Sequence, residues 1–291
     1  MVEAKQIKIS TGSFLILLQS FFFGFGDPIS KVAYEEMSVY SILAVRFSLA
    51  FVLMLLMGRR ALVEDIRRSE VRVWIVPSLC LGSAYIAGNL ALDFAPATSV
   101  AFLRSLSTVF TPVLAFAVFR TRFRRIHLPF LIAIVVGLYL LCGAGGMNSF
   151  GAGEMIALGC ALLSAAALVF SGEAIKKMKA MTISTIQLGV AAALSILCAF
   201  IFDGGVSMAG ASMQSWGVVL YLAVFCSIAG YLLQNKAFET ISPRAVALLQ
   251  CSCPVCTAVF SFFILGEQLS AAGLVGVVII LVCVTAETII G

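Results

Sequence analysis

The stretch Asn89-Leu-Ala-Leu-Asp-Phe-Ala-Pro-Ala-Thr-Ser-Val-Ala-Phe-Leu103 recurs in outline as Asn235-Lys-Ala-Phe-Glu-Thr-Ile-Ser-Pro-Arg-Ala-Val-Ala-Leu-Leu249. Each copy leads into an apolar run carrying a proline, Pro112 in the first and Pro254 in the second. The chain therefore reads as one five-span unit written twice, residues 1–147 and 148–291. An odd number of spans per unit places the two copies in opposite orientations, the arrangement from which many secondary transporters build a central site. The fold class expected is an all-α integral membrane protein with ten transmembrane helices in two inverted five-helix repeats.

Composition points to the same solvent. Of 291 residues, 62% are hydrophobic and 11% charged, against about 25% charged in a soluble domain. A span needs roughly 20 apolar residues. Ten such runs are expected near 12–33, 38–58, 73–93, 97–119, 127–145, 152–172, 181–202, 214–235, 244–265 and 270–290. Helices are required, because lipid offers no partner to an open backbone hydrogen bond. The first run, after Lys5 and Lys8, is too long for a signal-peptide core and reads as a retained span.

The net charge of +5 is spread over short loops, which argues against a nucleic-acid partner. All of the 19 lysines and arginines except Lys31, Arg46 and Arg104 fall in loops on one side of the predicted topology. By the positive-inside rule that side is cytoplasmic, with both termini there and the chain multi-pass in the cell (inner or cytoplasmic) membrane. The nine cysteines sit in or beside apolar runs, where they act as small hydrophobes. In Cys251-Ser-Cys253-Pro-Val-Cys256 the first two point about 200° apart on a helix. The sole histidine, His127, is distant, so no zinc site is expected. No nucleophile elbow, phosphate-cradling loop or Walker sequence is present, so neither an enzyme nor a cofactor is expected.

Charges inside spans cost roughly 3 kcal/mol or more each at a helix centre and mark function. Asp27, Arg46 and Arg104 each fall about 9–12 Å from the external end of a span at ~1.5 Å per residue. The shared depth suggests that Asp27 and Arg46 pair, as a structural link or as a gate. Asp27 precedes Pro28 and follows Gly24 and Gly26, a place for the helix to bend. Arg104, Ser107 and Thr108 share a helical face and suit a polar cavity in which the guanidinium grips a substrate carboxylate. Pairing of Arg104 with Asp93 or Asp27 stands as the alternative. Gln250 is its counterpart in the second repeat. Tyr85 and Asn89 share a face, as do their counterparts Tyr231 and Asn235, for ligand contact or for bridging helices. Small residues at Ala84 and Gly88, and at Ala157, Ala161 and Ala165, allow close helix contact. The glycine-rich stretch from Cys142 to Gly153 reads as a flexible connector or an ordinary turn.

Several of these pieces resemble the EamA type of the drug/metabolite transporter superfamily. They are Phe23-Gly-Phe-Gly-Asp-Pro-Ile-Ser-Lys31, Arg46-Phe47, Asn89 through Pro96-Ala97, and Pro254 followed by Leu265-Gly-Glu-Gln-Leu269. The first half departs from the pattern, with Arg124-Arg125 where Gly-Glu is expected. Glu267 also has a simpler use beside a helix N-terminus. The resemblance implies a secondary carrier of small organic solutes, commonly amino acids and related metabolites, working by alternating access. It also implies a cavity lined by the third, fourth, eighth and ninth spans. Efflux of cationic drugs and a non-transporting sensor or assembly role are the other readings. A small solute and the lipid bilayer are the partners expected, with monomer and homodimer both open.

Overall fold

The computed structural model describes residues 10–95, 97–120, 128–140, 151–266 and 270–290, and every regular element among them is helical. The first half runs α1 (Thr11–Tyr34), α2 (Val39–Arg68), α3 (Val71–Phe94), α4 (Ala97–Ser105), α5 (Ser107–Phe119) and α6 (Leu128–Leu138). The second runs α7 (Ala152–Ala174), α8 (Ala180–Phe202), α9 (Met213–Tyr221), a π-helical segment (Leu222–Ala229), α10 (Gly230–Ala237), α11 (Pro243–Gln250), α12 (Ser252–Leu265) and α13 (Ala271–Ile290). Among the described residues, eight continuous helical stretches are long and apolar enough to cross a membrane. The fifth and tenth predicted spans correspond to the shorter apolar helices Leu128–Leu138 and Ala271–Ala286. His127, Arg124-Arg125, Glu267 and connector residues 142–150 lie outside the described residues.

Local chemistry sets the helix ends. Ser10, Ser38, Ser212 and Ser242 each accept a backbone N–H at the start of a helix, a favoured N-cap chemistry. The fourth and ninth predicted spans are each broken once. α4 passes to α5 at Leu106, after Ser105 turns its hydroxyl back onto the Ala101 carbonyl at 2.8 Å, a bond that bends helices. α11 passes to α12 at Cys251, where the ring of Pro254 removes the N–H that Gln250 would have bonded. Both spans end in a left-handed residue, Arg120 at φ 51° and Gly266 at φ 69°. Arg120, not Arg124-Arg125, is thus the conformational counterpart of the glycine in Leu265-Gly-Glu.

The two halves pack as mates. α2 lies on α8, α6 on α13, and α4 and α5 on α12 and α11. α3 packs on α7 as α1 packs on the α9-to-α10 rod, and α7 meets α4 and α5 as α1 meets α12 and α11. Exchanging the halves leaves this set of pairings unchanged. The glycines follow suit: a Cβ on Gly12 would strike Thr240 at the end of the α10 rod, and one on Gly153 would lie 2.7 Å from Ala95 at the end of α3. The small-residue stripes meet as expected, Cys160 of α7 donating its thiol to the Ala84 carbonyl of α3 at 3.1 Å.

At the end where α1 and α3 finish, the α1–α2 turn is tied to the other half. Glu36 accepts the Ser215 hydroxyl at 2.6 Å and the Ser212 N–H at 3.0 Å, and Ser38 donates to the Asp203 carboxylate. The Ser215 and Ser212 donors hold the Glu36 carboxyl below its usual range. A depressed carboxyl stabilises above its unfolded value, and the contribution vanishes as pH falls through the folded value. The stability gap between the wild type and Glu36→Gln should therefore be present at pH 7 and shrink as the pH falls below the ordinary carboxylate range, read by thermal unfolding in detergent. A gap that stays constant with pH would sink this account.

Candidate functional site

A cavity of about 110 Å³ lies at the middle of the helices, walled by α1, α3, α4, α5, α7, α10, α11 and α12. The third, fourth, eighth and ninth predicted spans do line it, joined by the first and sixth. Of the residues singled out in the sequence, Tyr85, Arg104, Ser107, Thr108 and Gln250 reach its wall, and so does Asp27. Asn89 lines a smaller neighbouring cavity of about 20 Å³ together with Arg46, Asp27 and Arg104. Phe23, Asp27, Tyr85 and Arg104 border both spaces and so form the partition between them.

The expected partnership of Asp27 with Arg46 is not the one formed. Asp27 pairs with Arg104, Oδ1 to Nη1 at 3.4 Å, with side chains 19% and 26% exposed. Equal depth fixed only one coordinate. Which charges meet is set by helix rotation, and α2 is turned toward α8 and the α9-to-α10 rod. At 3.4 Å the pair is longer than the 2.7–2.9 Å typical of a charge-assisted bond, leaving both groups capacity for a ligand. The stem of Arg104 runs over Gly88, where a Cβ would lie 3.3 Å from its Nε. Arg46 is 3% exposed, its guanidinium over the Phe47 ring at 4.6 Å and the Tyr85 ring at 5.6 Å.

Other predicted residues are engaged by neighbouring helices. The Thr108 hydroxyl is engaged by the Ala247 carbonyl at 2.9 Å and Cys251 Sγ at 3.0 Å, binding α5 to α11. Tyr231 lies behind Tyr85, the rings stacked at 5.4 Å, and sits in the core at 2% exposure. Asn235 donates to Ser184 at 2.9 Å and Gln187 at 2.7 Å, bridging α10 to α8. Asn89 accepts the Tyr34 hydroxyl at 2.6 Å and donates to the Tyr85 carbonyl at 2.8 Å.

Two residues unnoticed in the sequence, Gln234 on the cavity wall and Gln19 behind it, bond with Gln250. Gln250 Nε2 donates to Gln19 Oε1 at 3.0 Å and to Gln234 Oε1 at 2.9 Å. Gln19 Nε2 donates to Gln234 Oε1 and to the Gly230 carbonyl, both at 3.0 Å. In this triangle the Gln250 carbonyl and the Gln234 amide nitrogen are not engaged by any described residue, and both side chains border the cavity. An amide inside an apolar span was the available signal, since a polar group placed there needs a partner or a ligand.

The arrangement can receive a carboxylate at Arg104, a cation at Asp27 and neutral polar groups at the glutamine wall. Comparison with known proteins agrees on the class. A family model described as the EamA-like transporter family matches residues 10–143 and again 151–286. The chain is 24% identical over 287 residues to "Uncharacterized transporter YyaM" of Bacillus subtilis, covering 95% of this chain and 93% of that one. It is 26% identical over 147 residues to an "Uncharacterized transporter" of Archaeoglobus fulgidus, covering 50% of this chain and 44% of that one. A solved crystal structure with 17% identity superposes with a TM-score of 0.76 over 94% of this chain and 95% of its own, a likeness of fold.

Proposed function

The chain belongs to the EamA-like transporter family of multi-pass membrane proteins, and on that footing we propose that it exports amino acids or related small carboxylate metabolites. The observation that carries this reading is the Asp27–Arg104 pair at 3.4 Å on the wall of the central cavity. A zwitterion offers a carboxylate to the guanidinium and an ammonium to the carboxylate. It thus replaces one loose ion pair with two and leaves no buried charge alone. Tyr85, Ser107, Gln234 and Gln250 are placed to read the rest of the solute.

Efflux of drug-sized cations fits less well. Asp27 is already neutralised by Arg104. The cavity of about 110 Å³ is small beside the roughly 300–1,000 Å³ that hold drug-sized ligands. Alternating access by two inverted halves, residues 1–147 and 148–291, is supported by the pairing of helices, which is unchanged when the halves are exchanged. In this reading both termini are cytoplasmic, and Asp27 acts in gating through Arg104.

Counterflow into proteoliposomes tests the proposal, with radiolabelled amino acids, monocarboxylates and organic cations offered in turn. Saturable counterflow of one or more amino acids is expected. Saturable movement of an organic cation with none of any amino acid would overturn the reading.

A further inference from the structure

The smaller cavity holds a charge that the proposed transport cycle does not use. Arg46 lies two turns into α2, 3% exposed, with its Nε enclosed and without a partner. Among the described residues it forms no ion pair and no hydrogen bond. The faces of Phe47 and Tyr85 at 4.6 and 5.6 Å ease the burial of a positive charge. They cannot satisfy five planar N–H donors. Among the described residues the cavity wall carries two guanidiniums, Arg46 and Arg104, against the single carboxylate of Asp27, and that carboxylate already faces Arg104. One positive charge is therefore uncompensated in a place where burial of an unpaired charge is strongly disfavoured.

The neighbouring polar groups define what is missing. Ser30 donates its hydroxyl to the Gly26 carbonyl at 2.7 Å, and Tyr34 gives its own to Asn89 at 2.6 Å. Guanidinium N–H groups dominate what the wall still offers, so the occupant must be an acceptor and must carry one negative charge. The room, about 20 Å³, matches one or two water-sized occupants at about 10–15 Å³ each. Room so much smaller than the central cavity's about 110 Å³ favours a small anion over phosphate, sulfate or a larger organic anion. A water would answer the donors but not the charge. We propose that this cavity binds a monatomic halide, chloride, between Arg46 and Arg104. The site shares Arg104 with the proposed solute site, but its test does not, because unfolding reads halide binding with no solute present.

Thermal unfolding of the detergent-purified full chain tests it without transport. Sodium gluconate is exchanged stepwise for sodium chloride at constant ionic strength, with bromide and formate as parallel arms. A binder of the native state raises the unfolding temperature in a saturable way, and such a rise is expected with chloride and bromide. The rise should be lost in Arg46→Gln. Absence of a halide effect in the wild type overturns the proposal, as does an undiminished effect in Arg46→Gln. Stabilisation by formate alone also overturns it, assigning the site to a carboxylate instead. If Arg46→Gln does not fold, Gly26→Ala serves. It keeps both arginines but brings a methyl within 2.7 Å of Cys226 Sγ on the cavity wall. The half-saturating chloride concentration should then rise at least tenfold, and an unchanged value refutes the site.

Discussion

Arg104→Ala should reduce solute flux by roughly 100-fold or more at low solute concentration, because hydrogen bonds to a charged group are worth about 1.5–3 kcal/mol each and a guanidinium can offer a carboxylate two. Arg104→Lys keeps the charge without the planar fork and should fall between the variant and the wild type. The loss alone would not distinguish a residue that grips solute from one that only neutralises Asp27. The pair stands at 3.4 Å, so removing either partner leaves a charge in the cavity wall. The double variant Asp27→Asn with Arg104→Gln separates the two roles, since it removes both charges together. If Arg104 holds the solute, flux in the double variant stays low. Recovery toward wild-type flux would make the arginine a structural counter-ion and remove it from the site. Purified yield and unfolding temperature of each variant, read beside flux, keep a folding defect from passing as a transport defect.

The repeat was legible in the sequence because lipid demands long apolar runs and because the second copy keeps the order of the first. Its structural signs fall where the order predicts: a break at Leu106 and at Cys251, a left-handed end at Arg120 and at Gly266. The equivalence of position did not carry an equivalence of role. Asn89 borders a cavity and bonds Tyr34, whereas Asn235 is fully buried against Ser184 and Gln187. Tyr85 borders both cavities while Tyr231 is core behind it. The side chains supplied by the facing helices differ between the halves, and they decide which polar group borders a cavity and which joins two helices.

Side-chain partnerships were the least legible feature. Depth in the membrane can be counted along a helix, but rotation about its axis depends on what it packs against. That is why Asp27 and Arg46 looked like partners and why Arg104 takes the carboxylate instead. The glutamine triangle was hidden for a related reason. Gln19 and Gln234 belong to opposite halves, and no periodicity links two isolated amides so far apart in the chain. Polar residues in apolar spans are best read as a pool from which tertiary contact selects.

The crossing of α1 with α12 supports the Asp27 side of the site, and a single added methyl should disturb it. A Cβ on Gly24 would strike Cys256 Cβ and stand 2.9 Å from the Thr257 nitrogen and 3.0 Å from the Cys256 carbonyl carbon. Two of these three atoms are backbone, so no rotamer change can relieve the contact and α12 as a whole must move. Overpacking of this kind costs about 1–3 kcal/mol for a methyl, and Gly24→Ala should unfold at a lower temperature than the wild type. Gly24→Leu, with three further carbons at the same place, should yield little monodisperse protein in detergent. Gly159 and Gly217 also lie in helices, but a Cβ on either meets nothing within 4 Å. Their alanine variants should match the wild type or exceed it slightly, since alanine is the better helix former. The effect on flux should outrun the effect on stability: Asp27 lies one turn beyond Gly24, and Cys253 and Pro254 of α12 border the same cavity. A shift of α12 therefore changes the distance between the α1 and α12 walls even where the protein stays folded. Gly24→Ala with the unfolding temperature of Gly159→Ala would show that α1 and α12 are not in close contact there.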